Sequence, residues 1–109
     1  MDKEKLTGVL KNVIICRVDN DDTYTFAFGY VVEHSSNRYE PGNWFATSLI
    51  RTILKTRNGI VIKTVNSAYL VDSTDIFDIP SAAIDNIRNG TPPTKAVDIV
   101  NGSLFKTVK

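Results

Sequence analysis

A chain of 109 residues is one domain's worth of protein, too short to build a second hydrophobic core. Its 42% hydrophobic and 23% charged residues exclude a disordered polyelectrolyte, and a formal net charge of +1 lacks the positive excess of a general nucleic-acid binder. No stretch approaches the roughly 18 apolar residues of a membrane-spanning helix.

The opening Met1-Asp2-Lys3-Glu4-Lys5-Leu6 is charged and leads into no apolar run with a small-residue cleavage site, so no secretory signal is expected. Valine, isoleucine and threonine contribute 11 residues each, a density of β-branched side chains that favours the half-buried surface of a sheet. A first strand is expected from about Val9 to Val18 and a second from about Thr23 to Glu33. The Asp19-Asn20-Asp21-Asp22 cluster between them supplies turn chemistry and makes the pair a hairpin. That cluster begins like a calcium loop, but Tyr24 stands where the loop needs glycine and Tyr30 where it needs a bidentate Glu. In the second strand Tyr24, Phe26, Phe28 and Tyr30 share one face by the period of two. Such a stripe is either half of the core or a platform on which bases stack, and the burial preference of aromatics favours the core.

Residues 34–43 have no apolar periodicity and contain Pro41-Gly42, the favoured centre of a type II turn, so they read as a long exposed loop. Trp44 to Thr56 fits two templates. Phe45, Leu49 and Ile53 fall on one helical side with Asn43 as N-cap, yet the β-branched content and the following Arg57-Asn58-Gly59 hairpin signal favour a strand. Ile60–Val65 and Ala68–Asp72 read as two more strands separated by Asn66-Ser67. A short helix is expected from Ser81 to about Asn89, closed by Gly90 and stopped by Thr91-Pro92-Pro93. A second is expected from Thr94 to about Asn101, closed by Gly102, with Leu104–Val108 as an edge strand or as apolar packing on the sheet. The expected fold is therefore α+β: one domain over residues 1–109, an antiparallel sheet of four or five strands built from hairpins 9–33 and 44–72, and two short C-terminal helices.

One cysteine, Cys16, and one histidine, His34, exclude an intrachain disulfide and a Cys/His zinc site within one chain, and point to a reducing, cytoplasmic setting. Cys16 lies in the apolar run Val13–Val18, where a thiol behaves as a small hydrophobe, and nothing in the spacing brings it to His34. His34-Ser35-Ser36 puts a base beside hydroxyls without the geometry of a triad, and no nucleophile elbow, Walker loop or dinucleotide fingerprint is present. Asp75 and Asp78 read as carboxylates near a helix start. No catalytic set, metal or cofactor is expected.

The near-zero net charge is a cancellation. No acidic residue lies between Glu40 and Asp72, where Arg51, Lys55, Arg57 and Lys63 sit, while Asp72, Asp75, Asp78, Asp85 and Asp98 make the C-terminal part acidic. The basic middle, preceded by Arg38, Tyr39 and Trp44, offers guanidinium forks and aromatic surface to a phosphate or an acidic protein; alternatively it is a solvated face that pairs with the acidic helices of its own chain.

The segment Tyr39-Glu40-Pro41-Gly42-Asn43-Trp44-Phe45-Ala46-Thr47-Ser48, followed by Ile60-Val61-Ile62-Lys63-Thr64-Val65-Asn66-Ser67-Ala68-Tyr69-Leu70, resembles small phage and prophage accessory proteins in which Gly-x-Trp-x-x-Thr-Ser precedes a Thr-x-Asn-Ser-x-Tyr hairpin. The resemblance implies a strand in 44–56 and a gene of a mobile element, acting in the host cytoplasm as an inhibitor of host defence, either an anti-CRISPR protein that occludes an effector or a sponge for a nucleotide immune signal. It supplies no catalytic residues.

These readings converge on a non-enzymatic binding protein. A protein partner, a host defence effector, would be anchored by Arg38, Tyr39 and Trp44, residue types enriched at interface hot spots. The alternative is a phosphorylated nucleotide, with Arg51, Arg57 or Arg88 on phosphates, an aromatic ring on the base and Asn66 on a polar edge. A structural phage component or self-assembling homodimer remains a further alternative, because an exposed edge strand can pair with its copy.

Overall fold

The computed structural model describes residues 6–106, with side chains from residue 6 to residue 102. Among them, strands β1 (Gly8–Val18), β2 (Thr25–His34), β3 (Trp44–Ala46), β4 (Thr52–Thr56), β5 (Gly59–Lys63), β6 (Ala68–Val71) and β7 (Asp75–Ile79) precede a 3₁₀ turn at Ser81–Ala83 and helices α1 (Ile84–Arg88) and α2 (Pro93–Lys106). The fold is α+β, as expected, but the sheet has seven strands and is mixed. β1 pairs antiparallel with β2 on one side; on the other, its first half pairs parallel with β6 and its second half parallel with β7. Hairpin signals report only antiparallel neighbours. The parallel pairings join residues about sixty positions apart, which no turn motif announces. β7 in particular carries two aspartates, residues depleted in strands, and pairing with β1 overrides that preference. Asp75 and Asp78 thus stand on a strand and not beside a helix start.

The two halves of β1 are separated by a bulge. Lys11 faces Tyr30 and Ile14 faces Phe28, so Asn12 and Val13 together oppose the single residue Gly29. Asn12 adopts φ 53°, a left-handed conformation that Asn tolerates better than most residues. The amides turned out of the ladder are taken by one side chain: the Asp72 carboxylate accepts from Asn12 N–H at 2.7 Å and from Val13 N–H at 3.2 Å. Asp72 sits where β6 ends, so it ties the junction between β6 and β7 to the bulge. The extra residue also shifts the phase of alternation. Leu10 before the bulge and Val13 and Ile15 after it enter one core, with Ala27, Val31, Ile62, Tyr69 and Val71, while Cys16 and Val18 enter a second, with Phe26, Phe28, Ile79, Ile87 and Ala96. The single core expected from chain length is thus corrected: a sheet buried on both faces carries one cluster on each side within the same chain.

Trp44–Thr56 is neither a helix nor one strand. β3 pairs with β2, and β4 pairs with β5 at the other end of the sheet order, so the same short segment spans both ends. Between them Thr47 N–H donates to Ala27 O at 2.9 Å, Ile50 N–H to Thr25 O at 2.8 Å and Arg51 N–H to Lys63 O at 2.7 Å. The first core is enclosed by this closure. Where the chain bends, the buried Thr47 Oγ1 accepts from Ala27 N–H at 3.0 Å and donates to Ser48 O at 2.7 Å, replacing a lost ladder bond.

The second core is covered by the helices. α1 ends as expected: Gly90 at φ 106° places its N–H on Ile87 O and the Thr91 N–H on Asn86 O, the paired bonds of a Schellman cap. No side-chain cap bond serves its start, because Ser81 lies inside a 3₁₀ turn preceded by Pro80. The second helix begins at Pro93 and runs through Gly102 to Lys106, contrary to the expected stop at Asn101. Gly90 is followed by two prolines, whereas Gly102 is followed by Ser-Leu-Phe, which continue a helix at the modest cost of one glycine. The tail, expected as an edge strand or as apolar packing on the sheet, is helical to Lys106 and not a strand there, and residues 107–108 lie outside the described residues.

Gly29 tests the bulge directly. A Cβ there would stand 2.8 Å from Val13 Cγ2 and 3.0 Å from Lys11 O, both fixed by the packed bulge. Gly29→Ala is expected to cost about 1–3 kcal/mol by overpacking, read as a lower urea midpoint with an unchanged slope.

Candidate functional site

β2 places Phe26, Phe28 and Tyr30 on the helix-covered face, so the aromatic stripe is core there: Phe26 and Phe28 are fully buried and Tyr30 partly so, while Tyr24 lies before the strand and is exposed. The stripe does not end on β2. Trp44 pairs with Tyr30 across the β2–β3 ladder, on the same face, and its indole stacks on Phe28 at 6.2 Å between centroids and 6° between planes. Gly90 lies against the indole edge, where a Cβ would come within 2.8 Å of Nε1. Helix cover stops at this point, leaving Trp44 41% exposed although its ring is fixed.

Beside it opens a groove of about 480 Å³ lined by Tyr39, Asn43, Trp44, Phe45, Ala46 and Arg88. Arg88, in the last turn of α1, lays its guanidinium 4.4 Å from the Phe26 ring centroid, a cation–π contact made by a side chain that stays exposed. Arg38 sits over Tyr39 at 5.7 Å. Of the seven residues singled out in the sequence, Tyr39, Trp44 and Arg88 therefore share one groove and Arg38 adjoins it. Arg51 and Arg57 lie elsewhere, at the two ends of β4, and Asn66 lines a separate polar depression with Thr7, Lys63, Thr64, Val65 and Ser67 at the β5–β6 turn. No ion pair joins Arg51, Lys55 or Arg57 to the acidic C-terminal part among the described residues; Asp78 instead pairs with Arg17, which also holds Asp22. That bidentate contact draws the Asp78 carboxyl below its ordinary range. Sequence reasoning missed Asn43, Phe45 and Ala46 as parts of the groove, and the β2–β3 register is what assembles them.

The loop that carries Tyr39 is anchored by His34. Its imidazole packs against Tyr39 at 4.6 Å, Phe45 at 5.2 Å and Tyr69 at 5.9 Å, and Nδ1 accepts from Ser36 N–H at 3.0 Å. Accepting at Nδ1 assigns the remaining proton of the neutral ring to Nε2. Burial, with a smaller contribution from Arg38, holds the His34 pKa below its ordinary value.

The polar neighbours expected of a catalytic dyad are not brought together. Cys16 pairs with Phe26 and His34 with Gly8, eight residues apart along β1, a separation of roughly 25 Å by strand rise. Burial pushes the Cys16 thiol up to about 12, out of reach of thiolate chemistry near neutrality. Among the described residues no group of three or more His, Cys, Asp or Glu side chains could hold a metal ion, and no helix is long and apolar enough to cross a membrane. No protein-family model, no curated protein and no solved structure matches the chain.

Because the folded state favours neutral His34, the unfolded chain takes up the proton first as pH falls through 6.5. Stability is thus expected to be at its plateau above about pH 7, to drop as pH falls below about 6.5, and to level once the folded form also protonates. His34 is the sole histidine, so His34→Gln should flatten this part of the curve in chemical denaturation at each pH, without removing losses at more acidic pH.

Proposed function

We propose that this chain is a non-enzymatic binding protein that recognises a host protein through the Tyr39–Trp44–Arg88 groove, and that it serves a phage as an inhibitor of a bacterial defence effector in the host cytoplasm. One observation carries the reading: Trp44 is half exposed yet immobilised by Phe28 below and Gly90 at its edge. A tryptophan fixed before its partner arrives loses little rotamer entropy on binding, and Trp, Tyr and Arg are the side chains that dominate interface energetics. The resemblance of residues 39–48 and 60–70 to phage accessory proteins, read from the sequence, supports the defence setting.

The groove's size favours one second reading. At about 480 Å³ it falls within the range of small-ligand sites, and a nucleotide base on the Trp44 face with phosphate on Arg88 uses the same side chains.

Expression of the chain in strains carrying different defence systems is expected to restore phage plating against one of them. Trp44→Ala or Arg88→Ala should weaken the interaction by about 30-fold or more, the scale of a hot-spot residue, and abolish rescue while the protein stays folded. Trp44 is the only tryptophan, so quenching or shift of its emission on adding the purified effector reads the contact directly. Rescue that survives both substitutions contradicts the groove, and no rescue in any strain contradicts the defence role. A rise in melting temperature with cyclic or phosphorylated nucleotides, lost in Arg88→Ala, would favour the second reading.

A further inference from the structure

β4 presents an unusual combination of features. All five of its residues are exposed, and Ile53 and Leu54 remain 44% and 42% accessible. It pairs with β5 on one side only, and among the described residues no backbone group bonds to its other edge. Exposed apolar edges of this kind are normally blunted by proline, a bulge, covering structure or charge; β4 has regular register with β5 and no proline, and its protection is basic charge alone, from Lys55 and the flanking Arg51 and Arg57. By the period of two, Arg51, Ile53 and Lys55 share a face, which Arg57 extends at the turn. Ile53 and Lys55 lie opposite Ile62 and Ile60, so on β5 the same face is core and on β4 it is left open.

We infer that the outer edge of β4 is a docking rail for an extended acidic segment of a partner protein, which adds to the sheet as a further strand. Main-chain donors and acceptors of β4 supply sequence-independent affinity, and alternate side chains supply selection. Acidic side chains at every second position of the added strand would meet Arg51 and Lys55 as opposite-charge cross-strand pairs, and a β-branched residue between them would pack on Leu54 from the other face. The same charges reject a second copy through this edge, because β4 against β4 sets a basic stripe against a basic stripe. This surface is separate from the Trp44 groove and stands or falls independently of it.

The test is a titration of the isotope-labelled full chain, followed by amide shifts, with four probes at low salt: an eight-residue peptide alternating Glu with Val or Thr, its Lys counterpart, the acidic peptide with central prolines, and a single-stranded oligonucleotide of similar charge. The acidic peptide is expected to perturb amides of residues 51–58 and slow their hydrogen exchange, with the Lys and proline peptides at least 10-fold weaker. Lys55→Glu/Arg57→Glu should abolish the effect, and Lys55→Gln/Arg57→Gln should reduce it. The inference is overturned by any of four results: no perturbation by about 1 mM acidic peptide, equal binding of the proline form, tighter binding of the oligonucleotide, or concentration-dependent self-association through the same amides.

Discussion

One aspartate holds two backbone amides, and the architecture depends on that contact. The bulge at Asn12–Val13 turns two N–H groups out of the β1–β2 ladder, and the Asp72 carboxylate accepts both. Without that acceptor the exposed Asn12 N–H would turn to water, while the part-buried Val13 N–H would lose its partner, a cost comparable to the hydrogen bond itself. With it, β1 can change the phase of its alternation midway and still bury both faces. The strand then serves two cores, one shared with β2, β5 and β6 and closed by Phe45 and Ile50, the other roofed by the helices. Three residues separate Leu10 from Ile14 on β1, and three separate Val71 from Asp75 on its partners, so the bulge and the β6–β7 junction match in length as well as in chemistry.

The groove follows from that division. Because the second core lies on the side of β2 that carries Phe26 and Phe28, the helices pack there, and α1 ends at the Gly90 cap. Trp44, one strand further out, continues the aromatic face past the end of the cover. Its exposure is therefore a boundary effect: the ring belongs to the core's edge and to solvent at once. On the opposite face His34, Tyr39, Phe45 and Tyr69 form a ring cluster that holds the loop over the first core. The proposed recognition surface is built on such packing, and a pre-packed surface favours selectivity over adaptability.

Local chemistry was readable from the sequence; long-range partnership was not. The turn at Asp19-Asn20 is as the residue types require, with both at positive φ, and so is the Gly90 cap. The alternation of Tyr24 to Tyr30 located a face, and the strand reading of 44–56 was right in kind. It was wrong in continuity, because Thr47 bends the segment from β2 toward β5 and only the partners reveal the bend. β7 was invisible since Asp75-Ile76-Phe77-Asp78-Ile79 has poor intrinsic preference and a distant partner. The apolar run Val13–Val18 conceals the bulge, since a strand buried on both faces shows no alternation. Of the residues singled out by type, Tyr39, Trp44 and Arg88 converge on one groove, and that convergence comes from register and cap geometry. Arg51, Arg57 and Asn66 had the same chemical credentials and went elsewhere.

The most direct measurement of the central contact is amide hydrogen exchange at Asn12 and Val13 in the parent chain and in Asp72→Ala. The account predicts that both amides are protected in the parent, that they become the fastest-exchanging positions of β1 in the variant, and that protection falls in both cores together. Amides of Asn12 and Val13 that exchange freely in the parent, or protection in the variant unchanged in either core, would contradict it.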